Sequence, residues 1–199
     1  NLLEKEEREA VETITELIEY YKGIFTILSS CAARQLEEVT FRRTTIPVQE
    51  LFDAAGKYFR KVMKNRMEKI ELIMEPMEAK VIGDVNQLRF LFENLIDEAL
   101  AVHEEGVIRL QARKDNEYVR FLFTDTRREK SVTELNQLFY PNLARMTSGE
   151  KGELRGTEYL ICKQIIRDHD EFAGRRGCRI NAEPAEGGGF TVYFTIPRR

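Results

Sequence analysis

The sequence has no tryptophan, only two histidines and only three cysteines in 199 residues. Each scarcity excludes something. Cys31, Cys162 and Cys178 are odd in number, far apart and without a C-x-x-C pair, so neither a disulfide framework nor a zinc site is indicated. Such usage fits a reducing compartment, and the expected location is cytoplasmic. With His103 and His169 as the only histidines there is no H-E-x-x-H helix and no Ser/His/Asp set of suggestive spacing. A Walker P-loop is also missing. No apolar run approaches the roughly 18 residues of a membrane span. No signal peptide is visible, and a start at Asn1 rather than methionine suggests a piece of a longer protein. The net charge of −3 provides no global basic field, so nucleic acid is not an expected partner.

What is present is 42% hydrophobic and 33% charged, enough for a real core under a heavily charged surface. Residues 2–38 read as one long helix. Leu3, Ala10, Leu17, Ile24 and Cys31 recur every seven residues, and Glu7, Ile14, Tyr21 and Leu28 form a second row. This is a 3-4 seam, apolar except at Glu7, suited to a coiled coil or a bundle. An ordinary helix packed on its own domain would satisfy the same pattern. From residue 39 the pattern changes. Val39–Thr45 alternates like a strand, Pro47 opens a helix over 48–65, and strands follow at 69–74 and 80–82. Gly83-Asp84 leads into a helix over 85–103 with Leu88, Leu91, Phe92, Leu95, Ile96 and Ala99 inward. Residues 106–113 and 118–124 form a hairpin across Asp115-Asn116. Ser131 caps a short helix, 141–155 reads as a long loop, 157–172 as a helix, and 178–183 with 190–196 as a last hairpin. The expectation is α+β, a mostly antiparallel sheet with helices on one face, in residues 39–199, preceded by a dimerisation helix over 1–38.

The order and spacing of these pieces resemble the histidine-kinase-like ATPase superfamily, and within it the ATP-binding domain of sensor histidine kinases. Gly83 to Ala99 is similar to the N-box helix of that family, Val119–Asp125 to the strand carrying its adenine-binding aspartate, Gly156–His169 to the helix after its ATP lid, and Gly189–Pro197 to its last strand. The resemblance implies a nucleotide pocket that includes Asn94, Glu98, Asp125, Gly156 and Glu158. It also implies the places where this chain departs from the family. The family holds magnesium with an asparagine where this sequence has Glu98, longer and negative beside a polyanion. The family's Asp-x-Gly-x-Gly reads Asp125-Thr126-Arg127-Arg128-Glu129, with both glycines gone. Its Gly-x-Gly reads Gly156-Thr157-Glu158, and Phe190 stands where a threonine is common.

Arg127 and Arg128, with Arg155 of the lid, are candidate anion-binding residues, or a solvated loop in the bland case. Glu98 would be a metal ligand only if magnesium still binds, and is otherwise a solvated helix residue. No phosphoacceptor histidine lies on the N-terminal helix. His103 and His169 read as helix-end residues favoured by the dipole rather than as catalysts. The expectation is a degenerate kinase-like signalling module with no catalytic residue and no cofactor, homodimeric through its N-terminal helix and facing a protein partner. The alternative is an active histidine kinase with ATP and magnesium, Glu98 on the metal, Asp125 on adenine, and an acceptor histidine upstream.

Overall fold

The computed structural model describes residues 41–140 and 157–199 throughout, and residues 5–15, 17–18, 21–22 and 25 of the N-terminal segment. The expected lid loop with Arg155 and Gly156, and the seam residues Leu3, Ile24, Leu28 and Cys31, lie outside the described residues. Phe41–Tyr140 and Glu158–Arg199 form one compact unit, and the N-terminal helical residues belong to another.

The α/β unit runs β1 (Thr44–Pro47), α1 (Val48–Met63), β2 (Ile70–Glu75), β3 (Lys80–Gly83), α2 (Val85–Leu100), β4 (Gly106–Asp115), β5 (Tyr118–Asp125), α3 (Val132–Gln137), α4 (Thr157–Phe172), β6 (Ile180–Pro184) and β7 (Phe190–Pro197). Five strands form one sheet in the order β2-β4-β5-β7-β6, and β1 pairs with β3 in a small second one. Only β2 and β4 are parallel in the large sheet. An α+β architecture with a mostly antiparallel sheet is what the hydrophobic patterning predicts.

Local chemistry sets the element ends. Pro47, with φ of −61°, closes β1 and opens α1, and the first amide of α1 is satisfied by Ala79 O at 2.9 Å. Asp84 caps α2 by accepting from the amides of Asn86 and Gln87. Ser131 and Glu134 make a reciprocal capping box on α3. Asn116 takes a φ of 51° to close the β4–β5 hairpin, a conformation that asparagine tolerates better than most residues. The first strand starts later than the sequence suggests. Phe41–Arg43 lie outside any strand, and β1 covers Thr44–Pro47.

The core lies between the sheet and the helices. Phe121 and Phe194, neighbours on β5 and β7, stack at 5.0 Å. Phe92 of α2 packs on both, at 5.7 and 5.6 Å, and Phe52 of α1 approaches Phe121 at 6.4 Å. All four are among the largest fully buried side chains. Aromatic pairs of this kind add about 0.5–1.5 kcal/mol each beyond their buried area. This cluster holds α2 against the centre of the sheet, so the end of α2 and the end of β5 meet.

In the N-terminal segment, residues 5–15 are helical. Its apolar residues Ile14, Leu17 and Tyr21 are 56%, 49% and 65% exposed. Among the described residues no helix is long and apolar enough to cross a membrane.

Candidate functional site

β5 is paired on both sides, by β4 and β7, and ends at Asp125. The carboxylate is 1% exposed, so it must find partners inside the protein. Its Oδ1 accepts from the Arg127 backbone amide at 3.0 Å and from Arg127 Nε at 2.9 Å. Its Oδ2 accepts from Arg127 Nη2 at 2.9 Å and from Arg128 Nε at 3.0 Å. An ionised carboxylate offers about four lone-pair sites. All four are used by residues two and three positions further along the chain.

Arg127 is satisfied in turn. Nη1 donates to Glu104 O at 2.9 Å and Nη2 to Ala99 O at 2.6 Å. Ala99 lies in the last turn of α2, where carbonyls lack helical partners and the dipole favours a cation. The guanidinium thus joins the end of a helix to the end of a strand. Two glycines make this possible. A Cβ on Gly106, at φ +139°, would sit 2.8 Å from Arg127 Cγ, and one on Gly189, at φ +81°, would sit 2.1 Å from Asp125 O. The sequence marked Asp125 and the loss of the loop glycines, but not Gly106. A glycine opening a strand carried no signal for a side chain 21 positions away in sequence.

Beside this clamp lies a second group. Glu98 is 7% exposed, not solvated as a helix-surface residue would be. It shares a hydrogen bond with Glu158 in the first turn of α4, and Arg128 Nη1 stands 4.0 Å from its Oε1. Burial, and then the neighbouring Glu158 charge, push the Glu98 carboxyl up to about 7, while Arg128 and Lys130 pull the other way. The guanidinium of Arg128 and the ammonium of Lys130 stand 5.7 and 5.5 Å from the centre of the buried Phe190 ring. Tyr159 is buried and meets Phe139 edge-on at 5.8 Å. Burial and the Glu98 charge raise its phenol well above the usual range.

Asn94 is also buried, and its amide nitrogen donates to Phe90 O of its own helix at 2.7 Å. Asp125, Arg127, Arg128, Glu98 and Glu158 are therefore brought together. Arg127 forms no solvated loop and offers no charge to an external anion, because its guanidinium is 1% exposed and already bound. Arg128 is 14% exposed and shares the same carboxylate.

His103 differs from its helix-end reading, whereas His169 does lie in the last turn of α4. α2 ends at Leu100, and His103 lies beyond it, with Nδ1 against Glu68 and 3.2 Å from Arg66 Nη2. His169 is completely buried, and burial lowers its pKa, so the ring is held neutral rather than charged toward a dipole.

Residues 83–199, more than half of the chain, match the family profile described as histidine kinase-, DNA gyrase B- and HSP90-like ATPase. No curated protein sequence matches the chain. Among solved structures it is similar to the mycobacterial sensor histidine kinase MprB, with a TM-score of 0.59, 18% identity, and coverage of 79% of this chain and 98% of that one. It is also similar to full-length ShkA in complex with AMPPNP, with a TM-score of 0.66, 15% identity and coverage of 97% of this chain. Histidine kinase ThkA in complex with the response regulator protein TrrA gives a TM-score of 0.65, 18% identity and coverage of 94% of this chain. This chain spans 39% and 51% of those two proteins. Identity this low carries the fold and not the activity. The profile match, the sheet order and the α2 helix leading from Asp84 to Ala99 agree, and the chain belongs to the histidine kinase-, DNA gyrase B- and HSP90-like ATPase family.

Proposed function

We propose that this chain is a histidine-kinase-like signalling module whose nucleotide site is closed by its own arginines, and that it acts by protein interaction rather than by phosphoryl transfer. One observation carries the reading. The carboxylate in the position of the family's adenine reader has all of its roughly four acceptor sites taken. An incoming adenine amino group would have to displace Arg127 or Arg128, leaving a largely buried guanidinium without its carboxylate. That costs several kcal/mol, comparable to the whole binding energy of a weak ligand.

The residues present also fit magnesium and triphosphate poorly. Glu98, hydrogen-bonded to a second carboxyl, keeps its proton up to a pH of about 7, and a metal ligand must be deprotonated. No catalytic step is derived through ATP.

The same reading places the module in the cytoplasm as a homodimer joined through the N-terminal helix. The exposed Ile14 and Leu17 support an apolar seam along this helix. A second signalling protein, of the response-regulator kind seen with ThkA, would be the receiver. The test is calorimetric titration of the chain with ATP and with ADP, each with magnesium. No heat of binding is expected up to roughly millimolar nucleotide, and a micromolar Kd would overturn the proposal in favour of an active kinase.

A further inference from the structure

Phe41, Arg42 and Arg43 open the α/β unit ahead of β1. Four contacts hold these residues. The Phe41 ring meets the His169 ring edge-on at 4.8 Å and lies 5.8 Å from Phe172. The Arg42 amide donates to Asp84 Oδ2 at 2.8 Å. The Arg43 guanidinium lies against Gly174, where an added Cβ would come within 2.5 Å of its carbon.

His169 is the centre of this joint. Its Nδ1 lies 2.8 Å from Ile165 O, a partner that can only accept, so Nδ1 carries the proton. Its Nε2 then accepts from the Asp84 amide at 3.1 Å. Asp84 uses its other oxygen, Oδ1, to cap α2 through the amides of Asn86 and Gln87. Gly83 lets the ring approach, since a Cβ there would stand 2.8 Å from its Cδ2 and Nε2. A single neutral imidazole therefore supports the residue that holds both the start of α2 and the Phe41–Arg43 segment.

We infer that His169 is a proton-operated latch on the Phe41–Arg43 segment that opens the α/β unit. A second proton on Nε2 removes its lone pair and sets one N–H against the Asp84 N–H. The ring must then turn away, and the Phe41 contact and the Arg42–Asp84 bond go with it. The charged groups acting on the ring are Asp84, from the turn before α2, and Asp168 on its own helix. The Phe41–Arg43 segment meets it with the uncharged Phe41. Both carboxylates favour protonation, and burial outweighs them, so release falls on the acid side of the usual histidine range. The nucleotide reading is independent of this latch, because none of these residues contacts Asp125.

The test is a pH series on the whole chain, from about pH 7.5 to about pH 5, reading the His169 ring by heteronuclear NMR and the Arg42 and Asp84 amides by hydrogen exchange. The two protection factors should fall together by about tenfold or more as the ring titrates, while amides of β5 stay protected. His169→Gln, which keeps an acceptor but cannot take the proton, should flatten the profile, and Phe41→Ala should loosen the Arg42 amide already at neutral pH. Where His169→Gln does not fold, the wild-type series decides alone. The latch is refuted if the ring titrates with the Arg42 amide still protected, if it does not titrate before the whole protein unfolds, or if release persists in His169→Gln.

Discussion

Replacing Arg127 by alanine tests whether the closed site is a structural element in its own right. The side chain donates to both Asp125 oxygens, to Glu104 O and to Ala99 O. Its loss leaves Asp125 with the Arg127 backbone amide and Arg128 Nε, and leaves two backbone carbonyls without this donor. Breaking a buried ion pair by removing one partner costs about 3–5 kcal/mol. The surviving Arg128 contact puts Arg127→Ala near the lower end, about 3 kcal/mol, or roughly a hundredfold in the folded-to-unfolded ratio. Arg128→Ala removes one short charge-assisted bond from a partly accessible group and should cost about 1.5–3 kcal/mol. Asp125→Asn strands the Arg127 charge and should cost about as much as Arg127→Ala. In urea unfolding, the double variant Asp125→Asn/Arg127→Ala should then lose at least about 1 kcal/mol less than the sum of the two single changes. An Arg127→Ala variant within about 1 kcal/mol of the parent, or additive single effects, would refute the idea that the pair holds the end of β5 to the end of α2.

Four further outcomes follow from the same geometry. Glu98 sits in the fold with its pKa raised from the ordinary 4.5 to about 7, so the folded state binds the extra proton. Its contribution is fully present below the ordinary carboxylate value and is lost as pH rises through about 7, at most about 3 kcal/mol, and Glu98→Gln should flatten that part of the stability profile. Gly189→Ala should be severely destabilising in thermal melts, because the new Cβ would lie 2.1 Å from Asp125 O at a φ of +81°. Gly106→Ala should push Arg127 from its slot and strain the backbone at a φ of +139°, costing about 1–3 kcal/mol, with only the steric part relieved in an Arg127→Ala background. Ser131→Ala should cost about 1 kcal/mol through the capping box of α3, read by chemical denaturation.

The sequence by itself determined the frame. The 3.6-residue spacing of Leu88, Leu91, Phe92, Leu95, Ile96 and Ala99 made α2 legible, and the alternation over β4, β5 and β7 made the sheet legible, because burial imposes those periods locally. Caps were equally visible at Ser131, since they depend on residues three apart. The strand boundary at β1 was not, because Phe41–Arg43 are held by ring contacts and by Asp84 rather than by a ladder. Only the tertiary structure decided what the altered positions do. Arg127 reads as a solvated or anion-seeking arginine until the fold sets it between Asp125, Ala99 O and Glu104 O. Glu98 likewise looks like a solvated helix residue, and His169 like a helix-end residue favoured by the dipole, until packing buries them. A charge's environment is made by groups distant in sequence, and no local pattern encodes which of them will meet it.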